Sequence, residues 1–229
     1  SGRFVYVANF NNSKISRFEI DPSDGHLQGE TVTDTGDQPQ ALIVEPRGRF
    51  LYVANTYGNS LSVFEIDAES GQLTLKSNME SETWPRALAV EPTGNILYVT
   101  YEGSSEVASF RINQTTGALT ELTRKPVGSG PLSIAIDATG SFAYVASIGT
   151  SIVTLFDINS DGMLPDGFVT ASGLNAASTV VTDPSGRFVY VVGYDGVTAF
   201  SNQATTGILT TLLGTIPAGG DAFGMTTTP

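Results

Sequence analysis

Gly48-Arg49-Phe50-Leu51-Tyr52-Val53-Ala54-Asn55 decides the fold, because the chain writes this stretch five times at a step of 46 residues. The other copies occupy residues 2–9, 94–101, 140–147 and 186–193. Each keeps the leading glycine, a bulky apolar residue two places on and a Tyr-Val pair. Five steps take up the 229 residues. A single domain of units 1–46, 47–92, 93–138, 139–184 and 185–229 is therefore expected, with no room for a leader or a second domain. A fixed period in the forties, filled with short β-type runs, is the signature of a β-propeller blade.

Each unit supplies four short strands. Residues 4–8 are apolar without alternation, which suits a strand covered on both faces by neighbouring blades. Residues 15–20 alternate, with Ser16, Phe18 and Ile20 against Ile15, Arg17 and Glu19. The stretch after Leu27 is more polar and suits an outer edge. Residues 41–44, Ala-Leu-Ile-Val, are small and apolar and suit the crowded strand nearest the axis. The C-terminal residues 222–226 repeat that inner strand, and residues 4–8 are the strand that follows it in every other unit. Pairing of the two ends is expected to close an all-β ring of five four-stranded blades and remove its edges.

Two turns share the period. Glu45-Pro46-Arg47-Gly48 returns as Glu91-Pro92-Thr93-Gly94, Asp137-Ala138-Thr139-Gly140 and Asp183-Pro184-Ser185-Gly186. This is type I turn chemistry. Asp21-Pro22-Ser23-Asp24-Gly25 is echoed at 67–71, 113–117 and 159–162. There the Asx side chain accepts backbone N–H groups and the glycine takes positive φ. These acids read as turn formers, not as catalytic carboxylates or calcium ligands. Tyr6, Tyr52, Tyr98, Tyr144 and Tyr190 fall 46 apart, as packing between blades requires.

Composition narrows the function. There are 23 acidic against 11 basic residues and a formal charge of −12. Nucleic acid, which is held through Lys/Arg contacts to phosphate, is excluded as a partner. No apolar stretch approaches the roughly 20 residues of a membrane span. The chain has no cysteine and one histidine, so neither thiolate chemistry nor a multi-histidine metal site is expected. No cofactor or metal is called for, and the chain reads as a monomer. Richness in Ser, Thr, Gly and Asn with few lysines suits an exported, periplasmic or extracellular protein. Acid is uneven: residues 185–229 hold only Asp195 and Asp221. One side should be more negative, favouring a basic partner or solubility.

The string at 48–55, followed by residues 60–67 and by Gly71-Gln72-Leu73-Thr74, resembles the lactonase-type propellers, the YVTN-repeat or 6-phosphogluconolactonase-like family. The resemblance covers all five units. It implies a ring usually of seven blades, hydrolysis of lactones, and His, Arg and Glu side chains around the central mouth. Of these, the chain offers Arg86 at the start of an inner strand, where the other units carry Gln40, Leu132 and Ser178. His26 falls in an outer hairpin turn.

The copies diverge on one face, which bears Gln38-Pro39-Gln40, Trp84-Pro85-Arg86 and the loops after each Tyr-Val run. Arg86, Trp84, Tyr57, Tyr101, Tyr194, Asn55 and Gln40 are the candidate ligand-binding residues, for a small acidic or lactone ligand or an unidentified protein. The leading functional expectation is a non-catalytic recognition or scaffold propeller. One alternative is a lactone hydrolase with Arg86 polarising a carboxylate or carbonyl; the competitor to any binding role is that Arg86 pairs with a nearby acid such as Glu102 and only trims the pore. The other alternative is an engineered or trimmed propeller.

Overall fold

The repeated string folds as the second strand of a sheet, and the residues before it as the inner strand. A computed structural model describes residues 2–212, 214–218 and 224–227. The first sheet contains β1 (Phe4–Asn9), β2 (Lys14–Ile20) and β3 (Leu27–Asp34). The second contains β4 (Pro39–Val44), β5 (Phe50–Asn55), β6 (Ser60–Ile66) and β7 (Leu73–Glu80). The third contains β8 (Pro85–Val90), β9 (Ile96–Tyr101), β10 (Glu106–Ile112) and β11 (Leu119–Pro126). The fourth contains β12 (Pro131–Ile136), β13 (Phe142–Ser147), β14 (Ile152–Asp157) and β15 (Phe168–Ser172). The fifth contains β16 (Thr179–Thr182), β17 (Phe188–Gly193), β18 (Gly196–Asn202) and β19 (Leu209–Thr211). Every pairing is antiparallel and follows chain order. This is the all-β propeller architecture that the repeat predicts, and it includes no helix long and apolar enough to cross a membrane among the described residues.

The periodic residues hold neighbouring sheets together. Phe50, Tyr52 and Ala54 of β5 share a core with Leu97, Val99 and Tyr101 of β9, while Leu51 and Val53 pack back on Ile15 and Tyr6. The unalternating strand is thus covered on both faces, and all six residues of β5, β9 and β13 are buried. Four of the five tyrosines also donate the hydroxyl to the outer hairpin of the next sheet, among them Tyr6 to the carbonyl of Gly71 at 2.7 Å and Tyr144 to that of Gly207 at 2.9 Å. The acids of the Pro-Gly turns act as clamps, as expected. Buried Glu45 accepts the backbone N–H groups of Arg47, Arg49 and Phe50.

The expected closure is not found. Residues 222 and 223 lie outside the described residues, and 224–226 form no strand. Among the described residues β1 pairs with β2 alone, so the first sheet has three strands where the sequence predicted four. Thr227 donates its hydroxyl to the carbonyl of Thr182 in β16, as Thr182 does to that of Ile136 in β12. The C-terminal segment therefore reaches the inner strand of the fifth sheet. Burial carries the same message. Val7 is 41% exposed, whereas Val53, its equivalent in β5, is fully buried.

Candidate functional site

A cavity of about 500 Å³ opens where the inner strands converge, lined by Gln40, Arg86, Leu132, Ser133, Ser178 and Thr179 among others. A local irregularity puts the variable side chains there. Pro39 pairs with Asn55 and Ala41 with Ala54, which leaves Gln40 as an extra residue. Arg86 and Leu132 are the extra residues at the same place in β8 and β12. A bulge of this kind re-aims a side chain, and bulges gather next to functional sites. The proline just before it has no N–H to lose, and it begins each strand where proline is tolerated.

Arg86 is the only cation lining this cavity. Its Nε lies 3.4 Å from Glu102 Oε2, and both side chains are about 29% exposed. Glu102 is placed by the backbone, because its N–H donates to the carbonyl of Trp84 at 2.9 Å. The Arg86–Glu102 pair, anticipated as the competitor to ligand binding, therefore exists; Arg86 lines the axial cavity and Glu102 stands outside its lining. A half-exposed pair of this kind is worth little as stability, about 0–1 kcal/mol. A guanidinium is nevertheless suited to gripping a carboxylate or polarising a carbonyl.

The other candidates divide. Gln40 lies in the cavity beside Arg86. Tyr57 and Trp84, 55% and 40% exposed, have ring centroids 6.0 Å apart and do not line the cavity. Tyr194 lies in the loop of the fifth sheet, where its N–H donates to the carbonyl of Asn175. Two candidates are not at any surface. Asn55 is fully buried, its amide donating to Ser60 and Ser62 and accepting from Thr35. Tyr101 is fully buried between the second and third sheets, and burial beside Glu121 and Glu106 pushes its phenol well above the ordinary range. Both close a strand and do not open a loop, so a ligand at the surface cannot reach them. His26 sits in the exposed outer turn and pairs with Asp24.

Sequence reasoning missed Arg124. Its guanidinium holds Glu121, Glu82 and Glu106 and stacks on Tyr101. The signal was a cation in a column of the repeat where the other units have Val32, Asn78 and Thr170. Its carboxylates come from separate segments and share no spacing.

This architecture, with a cavity at the convergence of its inner strands, is that of the lactonase-type propellers. The model of the lactonase, 7-bladed beta-propeller family matches residues 1–78 and 34–136, and the chain belongs to that family. A putative 6-phosphogluconolactonase from Bacteroides uniformis superposes with a TM-score of 0.85 at 21% identity, covering 100% of this chain and 72% of that one. A protein from Lactobacillus plantarum gives 0.83 at 24% identity, over 92% of this chain and 67% of that one. The periplasmic gluconolactonase of Pseudomonas aeruginosa gives 0.79 at 20% identity, over 93% and 67%. No curated protein matches. These findings overturn the expectation of a non-catalytic scaffold. The family match and the neighbours both point to the lactonase alternative.

Proposed function

We propose that the chain binds and hydrolyses a lactone at the axial cavity, with Arg86 and Glu102 as the working pair. The observation that carries this reading is a lone guanidinium, set by a bulge into a cavity of about 500 Å³ and held against a carboxylate. Arg86 polarises the ring carbonyl and stabilises the oxyanion that forms on it. Water attacks the carbonyl carbon, and the Glu102 carboxylate accepts its proton as general base. The ring C–O bond then breaks. Its oxygen leaves as an alcohol, taking the proton back from Glu102, and the product is a hydroxy acid. Neutral Gln40 lines the same cavity and offers an amide for sugar-type hydroxyls. The structural neighbours named for gluconolactone and 6-phosphogluconolactone hydrolysis make aldonolactones the first substrates to try.

The test is release of acid from glucono-δ-lactone, 6-phosphogluconolactone and simple γ-lactones. Arg86→Ala should lower kcat/KM by about 10²–10³, and Glu102→Gln by about 10²–10⁴. Failure of the unmodified chain to turn over any of these lactones would refute the reading. Turnover untouched by both substitutions would move the site elsewhere.

A further inference from the structure

Resting on the lactonase reading, we propose that the lactone taken at the axial cavity is uncharged, and that Leu132 is the residue that turns a phosphorylated lactone away. The inner strand β8 lies between β4 and β12. Arg86 is therefore flanked at the cavity by Gln40 and Leu132, the extra residues of the same bulge in the two neighbouring sheets. One bulge carries a cation, and the two beside it carry an amide and an alkyl group.

Charge decides what can enter. No other Lys or Arg lies on β4, β8, β12 or β16. The guanidinium of Arg86 already faces Glu102 Oε2 at 3.4 Å. Each of the four inner strands runs into a carboxylate, Glu45, Glu91, Asp137 or Asp183. The chain as a whole carries a formal charge of −12. A phosphate monoester brings about −1.5 to −2 at neutral pH into this field. It would meet a single guanidinium, and that one is needed at the lactone carbonyl. A phosphate that gripped Arg86 would leave the carbonyl unpolarised. A phosphate set beside Leu132 would lose water and find no counter-charge.

An uncharged lactone escapes this conflict. Its ring carbonyl takes Arg86, and its carbon frame rests against Leu132, Leu88 and Ala87, which line the same cavity. Hydrolysis then creates one negative charge, at the carbon that Arg86 already faces. The repeat also shows that the backbone tolerates the opposite choice at residue 132. Arg86 holds the equivalent bulge in β8, and Leu132 is only partly buried. Leucine here is therefore a choice of side chain that the strand does not impose.

The test compares kcat/KM for glucono-δ-lactone and for its 6-phosphate. The unmodified chain should favour the unphosphorylated lactone by about 10² or more. Higher ionic strength should narrow that ratio, which exclusion by size would not do. Leu132→Arg should raise kcat/KM for the phosphorylated lactone by about tenfold or more, and neutral Leu132→Gln should not. Calorimetry with the product acids, gluconate and 6-phosphogluconate, reads the same selection without turnover. The parent should bind 6-phosphogluconate no more tightly than gluconate, and Leu132→Arg should bind it more tightly than the parent does. If this binding pattern holds and no lactone is hydrolysed, the lactonase reading alone fails. The proposal is overturned if the parent uses both lactones alike, if Leu132→Gln admits the phosphorylated lactone as far as Leu132→Arg does, or if Leu132→Arg gains nothing on either the phosphorylated lactone or its acid.

Discussion

The hydroxyl of Tyr52 donates to the carbonyl of Gly117, 3.1 Å away in the next sheet. The same bond joins Tyr6 to Gly71, Tyr98 to Gly162 and Tyr144 to Gly207. It ties the buried second strand of one sheet to the outer hairpin of its neighbour. A glycine is needed at that hairpin for two reasons. Gly117 has a φ of +73°, and a Cβ there would sit 2.6 Å from the ring of Phe50. One contact thus explains why the period preserves the tyrosine, the bulky apolar residue two places before it and the distant glycine together.

Tyr98 is fully buried. Tyr98→Ala should destabilise the protein by about 3–5 kcal/mol, the range for deleting a large buried aromatic. Tyr98→Phe removes only the hydroxyl and its bond to Gly162, and should cost about 0.5–1.5 kcal/mol. Urea unfolding measures both. A negligible shift for Tyr98→Ala would mean that the periodic tyrosines do not carry the packing between sheets.

Alkali should unfold the protein steeply. Burial is the largest cause raising the phenols of Tyr52, Tyr98, Tyr101 and Tyr144 above the ordinary value of 10. In the unfolded chain these groups release their protons near pH 10, whereas the folded protein retains them. Their contribution is therefore complete below pH 10 and is lost as pH rises toward the folded values. Each tyrosine should remove about 1.4 kcal/mol per pH unit in that window. Urea midpoints measured at pH 9, 10 and 11 test this, and Tyr98→Phe should flatten the slope by one tyrosine's share. An unchanged slope in that variant would show that the phenol is not protected by folding.

The strands were legible because covered strands and inner strands differ in residue type, and the period aligns every copy. The turns were legible because Asx and glycine act locally. Closure was not, since the angle between neighbouring sheets arises from packing across them and leaves no mark on strand pattern. The candidate site was half legible. Arg86 stood out as a cation in a column of neutral residues, but the bulge that turns it into the cavity breaks the two-residue alternation that would have placed it. Tyr101 was misplaced for a simpler reason. It shares the column of Asn9, Asn55 and Ser147 at the end of a buried strand, and its aromatic character made it read as part of the loop.

Glu91 should behave as a structural clamp. Its carboxylate accepts the N–H groups of Thr93, Asn95 and Ile96 and the hydroxyl of Thr93, all while buried. Glu91→Ala leaves those backbone donors without a partner and should cost about 2–4 kcal/mol. Glu91→Asp should cost much less, because Asp137 fills the same position in the next unit and accepts from Thr139, Ser141 and Phe142. Equal losses in the two variants, read by thermal or urea unfolding, would show that the carboxylate's own bonds are not what matters.

The repeat supplies its own control for the contact between sheets. Gly117 and Gly25 hold the same position in the outer hairpins of the third and first sheets, at φ of +73° and +79°, but of the two only Gly117 faces a ring; a Cβ on Gly25 would meet nothing within 4 Å. Gly25→Ala should therefore carry only the cost of a left-handed alanine, about 1–2 kcal/mol. Gly117→Ala should carry that strain plus the overpacking against Phe50, a further 1–3 kcal/mol or so. The difference between the two, taken from urea unfolding under the same conditions, isolates the packing of one sheet against the next. If both substitutions cost the same, Phe50 yields freely and the aromatic-on-glycine contact does not hold the sheets in register.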